Sequence, residues 1–407
     1  MTIILFRILS RLLELLCILL YPLIYALLAT KRYQDALNAE SPDSKQGLLI
    51  HAASVGEVNA IRTLVQDLRK RNPQLGIVIT TTTLNGLKAA RSTGVPAKLA
   101  VLDLPWLRKM QLKSIDPKLI AIVETEMWLN LLDQSGKQGR NVVFVNARMT
   151  ARSFGRYRTI RGLLRKLKSP VRAILAQSEA DAERFRAIYD VPVANAGNLK
   201  FALRLPAYDS LASRAKYGFA ESNFIICLGS SRPGEEKLMA DAIAELMPQI
   251  PQLKAVIAPR HPERAAALKK ALPNSILLSE LADAGSAQFI ILIIDSIGHL
   301  QEFYALCDIA VVGGSFYDFG GHNPLEPAFY GKPVIMGPHH SSCQASVAEL
   351  HRYGAILLSD AEKLAGDIRE LHLDPERKTS LEANAVKCLD DNGHSLQTHL
   401  QEIESWL

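Results

Sequence analysis

The sequence predicts an α/β chain of two doubly wound lobes behind an N-terminal membrane anchor helix, and three observations predict it. From Leu48 onward, short apolar runs alternate with amphipathic stretches, the pattern of parallel strands covered by helices. The series starts afresh near Phe224, and 407 residues exceed what one core ordinarily holds. Ahead of both series, Leu12 to Thr30 is a nineteen-residue apolar span broken only by Glu14 and Pro22.

That span is long enough to cross or enter a bilayer. Arg7 and Arg11 precede it, Lys31 and Arg32 follow, and no small-x-small cleavage site appears after Leu28. Residues 1–32 therefore read as a retained anchor rather than a cleaved signal. Glu14, Pro22 and the two arginines leave spanning and interfacial placement both open, with a buried helix as the third option.

The first lobe is expected over residues 48–197, with strands at Leu48 to Ile50, Ile77 to Thr80, Leu99 to Leu102, Leu119 to Val123, Val142 to Val145 and Ala173 to Ala176. Residues 198–217 lack a clear period and carry Pro206, which suits a hinge. The second lobe, 218–407, has runs at Phe224 to Leu228, Leu253 to Ile257, Phe289 to Ile294, Ile309 to Val312 and Pro333 to Met336, and its last helix can pack back on the first lobe. In such folds ligands bind at the carboxyl ends of the strands, here in a cleft between lobes.

Two loops in the first lobe carry chemistry. His51-Ala52-Ala53-Ser54-Val55-Gly56-Glu57 joins the first strand to a helix; small residues admit a ligand, and Glu57 is placed as a general base must be. A glutamate favoured by the helix dipole is the plain alternative. The dipole would weaken it as a base, so basicity needs a partly desolvated site. Glu124-Thr125-Glu126 follows the fourth strand, with Glu126 the better candidate to cap the next helix.

Charge is uneven. The net charge is +6, and residues 148–172 hold nine Arg or Lys, among them Arg148, Arg152, Arg156 and Arg161, and no acidic residue. A one-sign stretch favours a polyanion. With an apolar anchor on the same lobe and only Phe154 and Tyr157 as aromatics, it reads as a grip on an anionic membrane rather than on nucleic acid.

In the second lobe, Gly313 to Gly321 is a glycine-bracketed aromatic loop leading into His322-Asn323-Pro324-Leu325-Glu326. Asn323 is expected as N-cap, Pro324 at the first helical position and Glu326 at the third. Such a helix start, with glycines beside it, suits an anion on the main chain; a well-capped turn is the plain alternative. Gly229 to Glu236 is another loop feeding a helix and lacks the Walker pattern. Pro259-Arg260 and Ile297-Gly298-His299 follow further strands. Lys200, at the hinge, can reach a phosphate or be a solvated linker lysine. The histidines show no metal-ligand spacing, so no metal is expected. Five scattered cysteines without a C-x-x-C pair fit a reducing compartment.

Together, His51 to Glu57, Glu124 to Glu126, Asn146-Ala147-Arg148, Gly197 to Phe201, Pro259 to Arg264 and Gly313 to Pro327, behind an apolar anchor, resemble the Kdo (3-deoxy-D-manno-octulosonate) transferases, monotopic glycosyltransferases of GT-B fold in lipopolysaccharide assembly. The resemblance implies transfer of Kdo from CMP-β-Kdo to the lipid A precursor at the inner face of the cytoplasmic membrane, with inversion and without a metal or other cofactor. It implies Glu57 as the general base, and Glu124 and Lys200 as transition-state stabilisers. It also implies CMP contacts from Pro259, Arg260, Ile297, Gly298, His299, Asn323, Pro324, Leu325 and Glu326. Ser54, Arg148, Arg152, Arg156 and Arg161 are assigned to acceptor and membrane. Three positions depart from the family pattern: Arg232 stands where histidine is frequent, His299 where an acidic residue is, and Ala202 where aspartate is. A UDP-sugar enzyme acting on another lipid, and a two-lobed ligand-binding relative without catalysis, are the rival readings.

Overall fold

Alternating apolar runs pair into strands because a parallel sheet buries both its faces, and the computed structural model places the runs in two such sheets. Residues 3–19, 47–167, 170–281 and 289–407 are described. One unit comprises residues 1–202 and 392–407, the other residues 203–391.

The first unit's sheet is built from β1 (Leu48–His51), β2 (Ile77–Thr81), β3 (Ala97–Leu99), β4 (Leu119–Val123), β5 (Asn141–Ala147), β6 (Val171–Ala176) and β7 (Val193–Asn195). Their order is β3-β2-β1-β4-β5-β6-β7, all parallel. Chain progression reverses between β1 and β4. Leu48, Ile50, Ile79, Ala121 and Val145 face one helical layer, and Leu49, Val78, Ile120, Ile122 and Phe144 the other.

The second unit has β8 (Phe224–Ser231), β9 (Leu253–Pro259), β10 (Ser275–Leu277), β11 (Ile291–Ile293), β12 (Ile309–Val312), β13 (Val334–Met336) and β14 (Ile356–Leu358). Their order is β10-β11-β9-β8-β12-β13-β14, again parallel, and the reversal falls between β8 and β12. The strand expected at Leu99 to Leu102 lies instead at Ala97–Leu99. Residues 198–217 contain a 3₁₀ turn, Leu199–Phe201, and a helix, Ser210–Lys216. That helix is started by Asp209, whose carboxylate accepts from Leu211 and Ala212 N–H at 2.9 and 3.1 Å. The long last helix, Pro375–Trp406, begins in the second unit and ends in the first.

The expected anchor lies partly outside the described residues, which break off after Leu19 and resume at Gly47. Among the described residues no helix is long and apolar enough to cross a membrane. What is described, the helix Ile3–Leu19, inverts the usual amphipathic order. Glu14 is buried and accepts from Trp106 N–H at 2.6 Å, and Arg7 pairs with Asp133 at 2.7 Å. Ile4, Ile8, Leu12, Leu15 and Leu19 face outward, beside Leu102, Trp106 and Met110 around the helix Pro105–Ile115.

Candidate active site

In the first unit the loops after β1 and β4 flank the point where strand order reverses, the place where open α/β sheets form ligand sites. Ser54 is the N-cap of the helix Val55–Ala60. Its hydroxyl donates to Glu57 Oε1 at 3.0 Å and accepts from Glu57 N–H at 3.3 Å, while Ala53 N–H donates to Glu57 Oε2 at 2.7 Å. Glu57 thus closes the helix start and is at the same time only 8% exposed. Burial pushes its pKa up to about 7, with Glu124 and Glu126 adding to the rise and the bonds from Ala53 and Ser54 opposing it. The desolvation that basicity required is present.

Glu124 adopts a left-handed backbone, φ 56°, a conformation that costs a non-glycine residue about 1 kcal/mol or more. Its N–H donates to Val145 O at 3.1 Å, and Lys200 Nζ lies 3.9 Å from its carboxylate. Lys200 is held by a relay. Asn198 Oδ1 accepts from Lys200 N–H at 3.0 Å, and Asn146 Oδ1 from Leu199 N–H at 2.9 Å. Asn146, fully buried and itself at φ 50°, donates its N–H to His399 Nε2 at 2.9 Å. His399 Nδ1 in turn meets Ser395 O at 2.7 Å, which fixes the neutral Nδ1–H tautomer. Burial holds the His399 pKa down at about 4. His399 was missed by sequence reasoning, since nothing in the last helix marks a residue that supports a loop some 250 positions earlier.

Glu126 does not cap the helix Leu129–Lys137. Its N-cap is Trp128, and the free N–H groups go to Asp103: Asn130 N–H at 2.9 Å and Leu131 N–H at 3.1 Å. Asp103 wins because its side chain arrives from outside the turn, a long-range contact that no local spacing encodes. Burial raises the Glu126 carboxyl instead. The basic stretch forms helices Ala151–Thr159 and Arg161–Lys166. Arg152, Arg156 and Arg161 are exposed and Arg148 half-buried, and Tyr157 fastens the stretch to the carboxylate loop by donating to Thr125 O at 3.3 Å.

In the second unit the loops after β8 and β12 flank the corresponding reversal. The glycine loop is no open anion cradle, because a carboxylate already fills it. Buried Glu235 accepts Gly314 N–H at 2.7 Å, Ser315 N–H at 2.9 Å, Phe316 N–H at 3.0 Å and Arg232 N–H at 2.8 Å. The expected cap is also displaced by one residue. The helix runs Leu325–Phe329 with Pro324 at the N-cap; Asn323 Oδ1 accepts from Leu325 N–H at 3.2 Å, and Glu326 meets the Asn323 side chain at 3.4 Å rather than its backbone. The capping bond itself stays with Asn323, since a capping side chain accepts from an N–H two or three residues on and the missing N–H of Pro324 is one no cap would use. Burial raises the Glu326 carboxyl.

Pro259 ends β9, and Arg260 N–H donates to Ser231 O at 3.0 Å, so the β8 and β9 ends are joined. Ile297 and Gly298 are exposed, and His299 is the N-cap of the helix Leu300–Leu306. Pro259, Arg260, Asn323 and Glu326 thus lie at the carboxyl end of one sheet, as do Ile297 to His299 beyond β11. Among the described residues no group of His, Cys, Asp or Glu has the makings of a metal site.

Residues 29–203 match the family model described as 3-Deoxy-D-manno-octulosonic-acid transferase (kdotransferase). The chain is 33% identical over 395 residues to the 3-deoxy-D-manno-octulosonic acid transferase of Haemophilus influenzae, covering 93% of this chain and 91% of that one. It is 29% identical over 384 residues to the transferase of the same name from Rickettsia bellii, covering 90% of each. In fold it is similar to Anabaena HepE solved with UDP, with a TM-score of 0.53 at 16% identity, over 89% of this chain and 100% of that one. Two parallel seven-stranded α/β units, and likeness over nearly the whole chain to named transferases, lead to one conclusion: the chain belongs to the 3-deoxy-D-manno-octulosonic acid (Kdo) transferase family and is a glycosyltransferase.

Proposed function

We propose that the protein transfers Kdo from CMP-β-Kdo to the lipid A precursor, with inversion at the anomeric carbon and no metal. The observation that carries the reading is Glu57, a buried carboxyl raised to about 7 beside a strained Glu124 and its Lys200 partner. Glu57 takes the proton of the acceptor hydroxyl as that oxygen bonds to the anomeric carbon and the bond to the CMP phosphate oxygen breaks. A base titrating near neutrality is suited to that task. Lys200 offsets negative charge on the departing phosphate or on the sugar carboxylate, and Glu124 keeps the ammonium in place.

The donor is read onto the second unit, with Arg260 for the phosphate, Asn323 and Glu326 for ribose hydroxyls, and Pro259, Ile297 to His299, Pro324 and Leu325 around the nucleotide. The acceptor is read onto the first unit through Ser54 and the arginines at 148, 152, 156 and 161. The outward apolar face of Ile3–Leu19, next to Trp106 and Met110, supports seating at the inner surface of the cytoplasmic membrane, since such a face in water is otherwise unfavourable.

The test is mass spectrometry of the lipid after incubation of the full chain with CMP-Kdo and lipid A precursor. A product heavier by Kdo is expected, and the same measurement counts the residues added. Unchanged lipid would sink the reading, as would thermal protection by UDP with none by CMP, which favours a UDP-sugar enzyme.

A further inference from the structure

With the glycine-loop amides taken by Glu235, the positive groups left at the carboxyl end of the second unit's sheet are side chains. Arg232 and Arg260 leave the ends of adjacent strands whose backbones are bonded to each other. Glu235 pins Arg232 N–H. The Arg232 guanidinium lies over the Phe319 ring, 5.6 Å from its centroid, and its Nη1 donates to His261 Nε2 at 3.0 Å. His261 must accept there, so its proton sits on Nδ1, 3.6 Å from Glu263.

His322 closes the group. It lies so near Gly314 that a Cβ there would come within 2.8 Å of His322 Cδ2, and Gly314 has φ 71°, so glycine is required on both counts. Two nitrogens, Arg232 Nε and His322 Nε2, are buried without a hydrogen-bond partner among the described residues. The neighbouring Arg264 shows the contrast, since its guanidinium is held by Glu236 in two bonds of 2.7 and 3.2 Å. Burial, then Arg232, Arg260 and His261, hold the His322 pKa down at about 4, so the group repels its own protonation.

We propose that Arg232 and His322, with Arg260, form an oxyanion subsite that takes one anionic group of the sugar nucleotide, its phosphate or the carboxylate of its sugar, and that His261 positions Arg232 for it. A fork-shaped donor held over an aromatic ring and bonded to His261 is preorganised for a planar or tetrahedral oxyanion, and the two nitrogens unpartnered among the described residues can supply hydrogen bonds to it. If the carboxylate is the group held, Arg232 also selects the donor.

The subsite rests on the sugar-nucleotide reading, and the experiment separates the two. Calorimetry on the full chain compares cytidine, CMP, CMP-Kdo and UDP, with and without Arg232→Gln. If the phosphate is held here, Arg232→Gln weakens CMP and CMP-Kdo about tenfold or more and leaves cytidine unchanged. If the sugar carboxylate is held, CMP-Kdo alone weakens. If the unmodified protein binds UDP and no cytidine ligand, the donor reading fails, while a tenfold loss of UDP on substitution still supports the subsite. Equal affinities with and without Arg232, a loss that includes cytidine, or no binding of any of the four overturns the subsite. His261→Gln, at an exposed position, is expected to give a smaller loss in the same pattern. Should Arg232→Gln lower the Tm of the unliganded chain, Arg232→Lys takes its place.

Discussion

Glu57→Gln keeps the size of the side chain and its bond from Ala53 N–H but removes the charge. Raising the carboxyl from 4.5 to about 7 costs its ionised form about 3 kcal/mol, at about 1.4 kcal/mol per tenfold. Between pH 4.5 and about 7 the unfolded chain releases this proton and the folded chain keeps it. Stability therefore falls as pH rises through that window, and the full penalty is present above it. The substitution should abolish that penalty: at pH 8 the first unit's Tm rises by about 5 °C or more, at about 2–4 °C per kcal/mol for this size, and at pH 5 it changes little. Activity moves the other way. Transfer should drop about a hundredfold or more, and the unmodified enzyme's kcat/KM should rise with pH to a plateau above an apparent pKa near 7, because the base must be ionised. Calorimetric melts at both pH values and single-turnover transfer assays read these out. Undiminished transfer with the fold intact refutes the base, and a Tm gain equal at pH 5 and pH 8 refutes the desolvation argument.

Glu235→Ala strands four backbone N–H groups and should destabilise the second unit by about 3 kcal/mol or more in denaturant titration, at about 1–3 kcal/mol per unmet buried donor. His399→Leu removes the acceptor for Asn146 N–H; a kcat loss exceeding any KM change is expected, with Lys200 no longer held in register. The unfolded chain protonates this histidine below about pH 6.5 and the folded chain only below about pH 4, so the same variant should flatten the acid loss of stability between those values. Paired Ile8→Ser and Leu12→Ser on the outward face should shift the chain from sedimenting with anionic vesicles to the supernatant, while transfer to detergent-dispersed acceptor persists. Sedimentation unchanged by the pair would count against membrane seating through this helix.

Much of the site was legible because helix-start chemistry is local. The apolar strand at Leu48 followed by small residues and Glu57 marks a strand-to-helix turn, and the structure has that turn at the carboxyl end of β1, with Ser54 as its cap. Local reading failed where a distant group took over a local duty. Asp103 rather than Glu126 serves the helix at Leu129, Glu235 fills the loop that glycines alone made look open, and β7, β10 and β14 are partly exposed strands at sheet edges, which need not be apolar on both faces.

The sequence by itself determined two parallel α/β sheets, since buried strands must be apolar on both faces, and it identified the loops after β1, β4, β9, β11 and β12, since these follow the runs directly. Tertiary structure alone decided the chemistry of those loops. The basicity of Glu57 comes from burial and from Glu124 and Glu126, which are brought near only when β1 and β4 pair. The posture of Lys200 depends on a histidine in the last helix. In the second unit, folded contacts alone decide that Glu235 takes the loop amides and Glu236 takes Arg264, while Arg232 Nε is without a partner among the described residues.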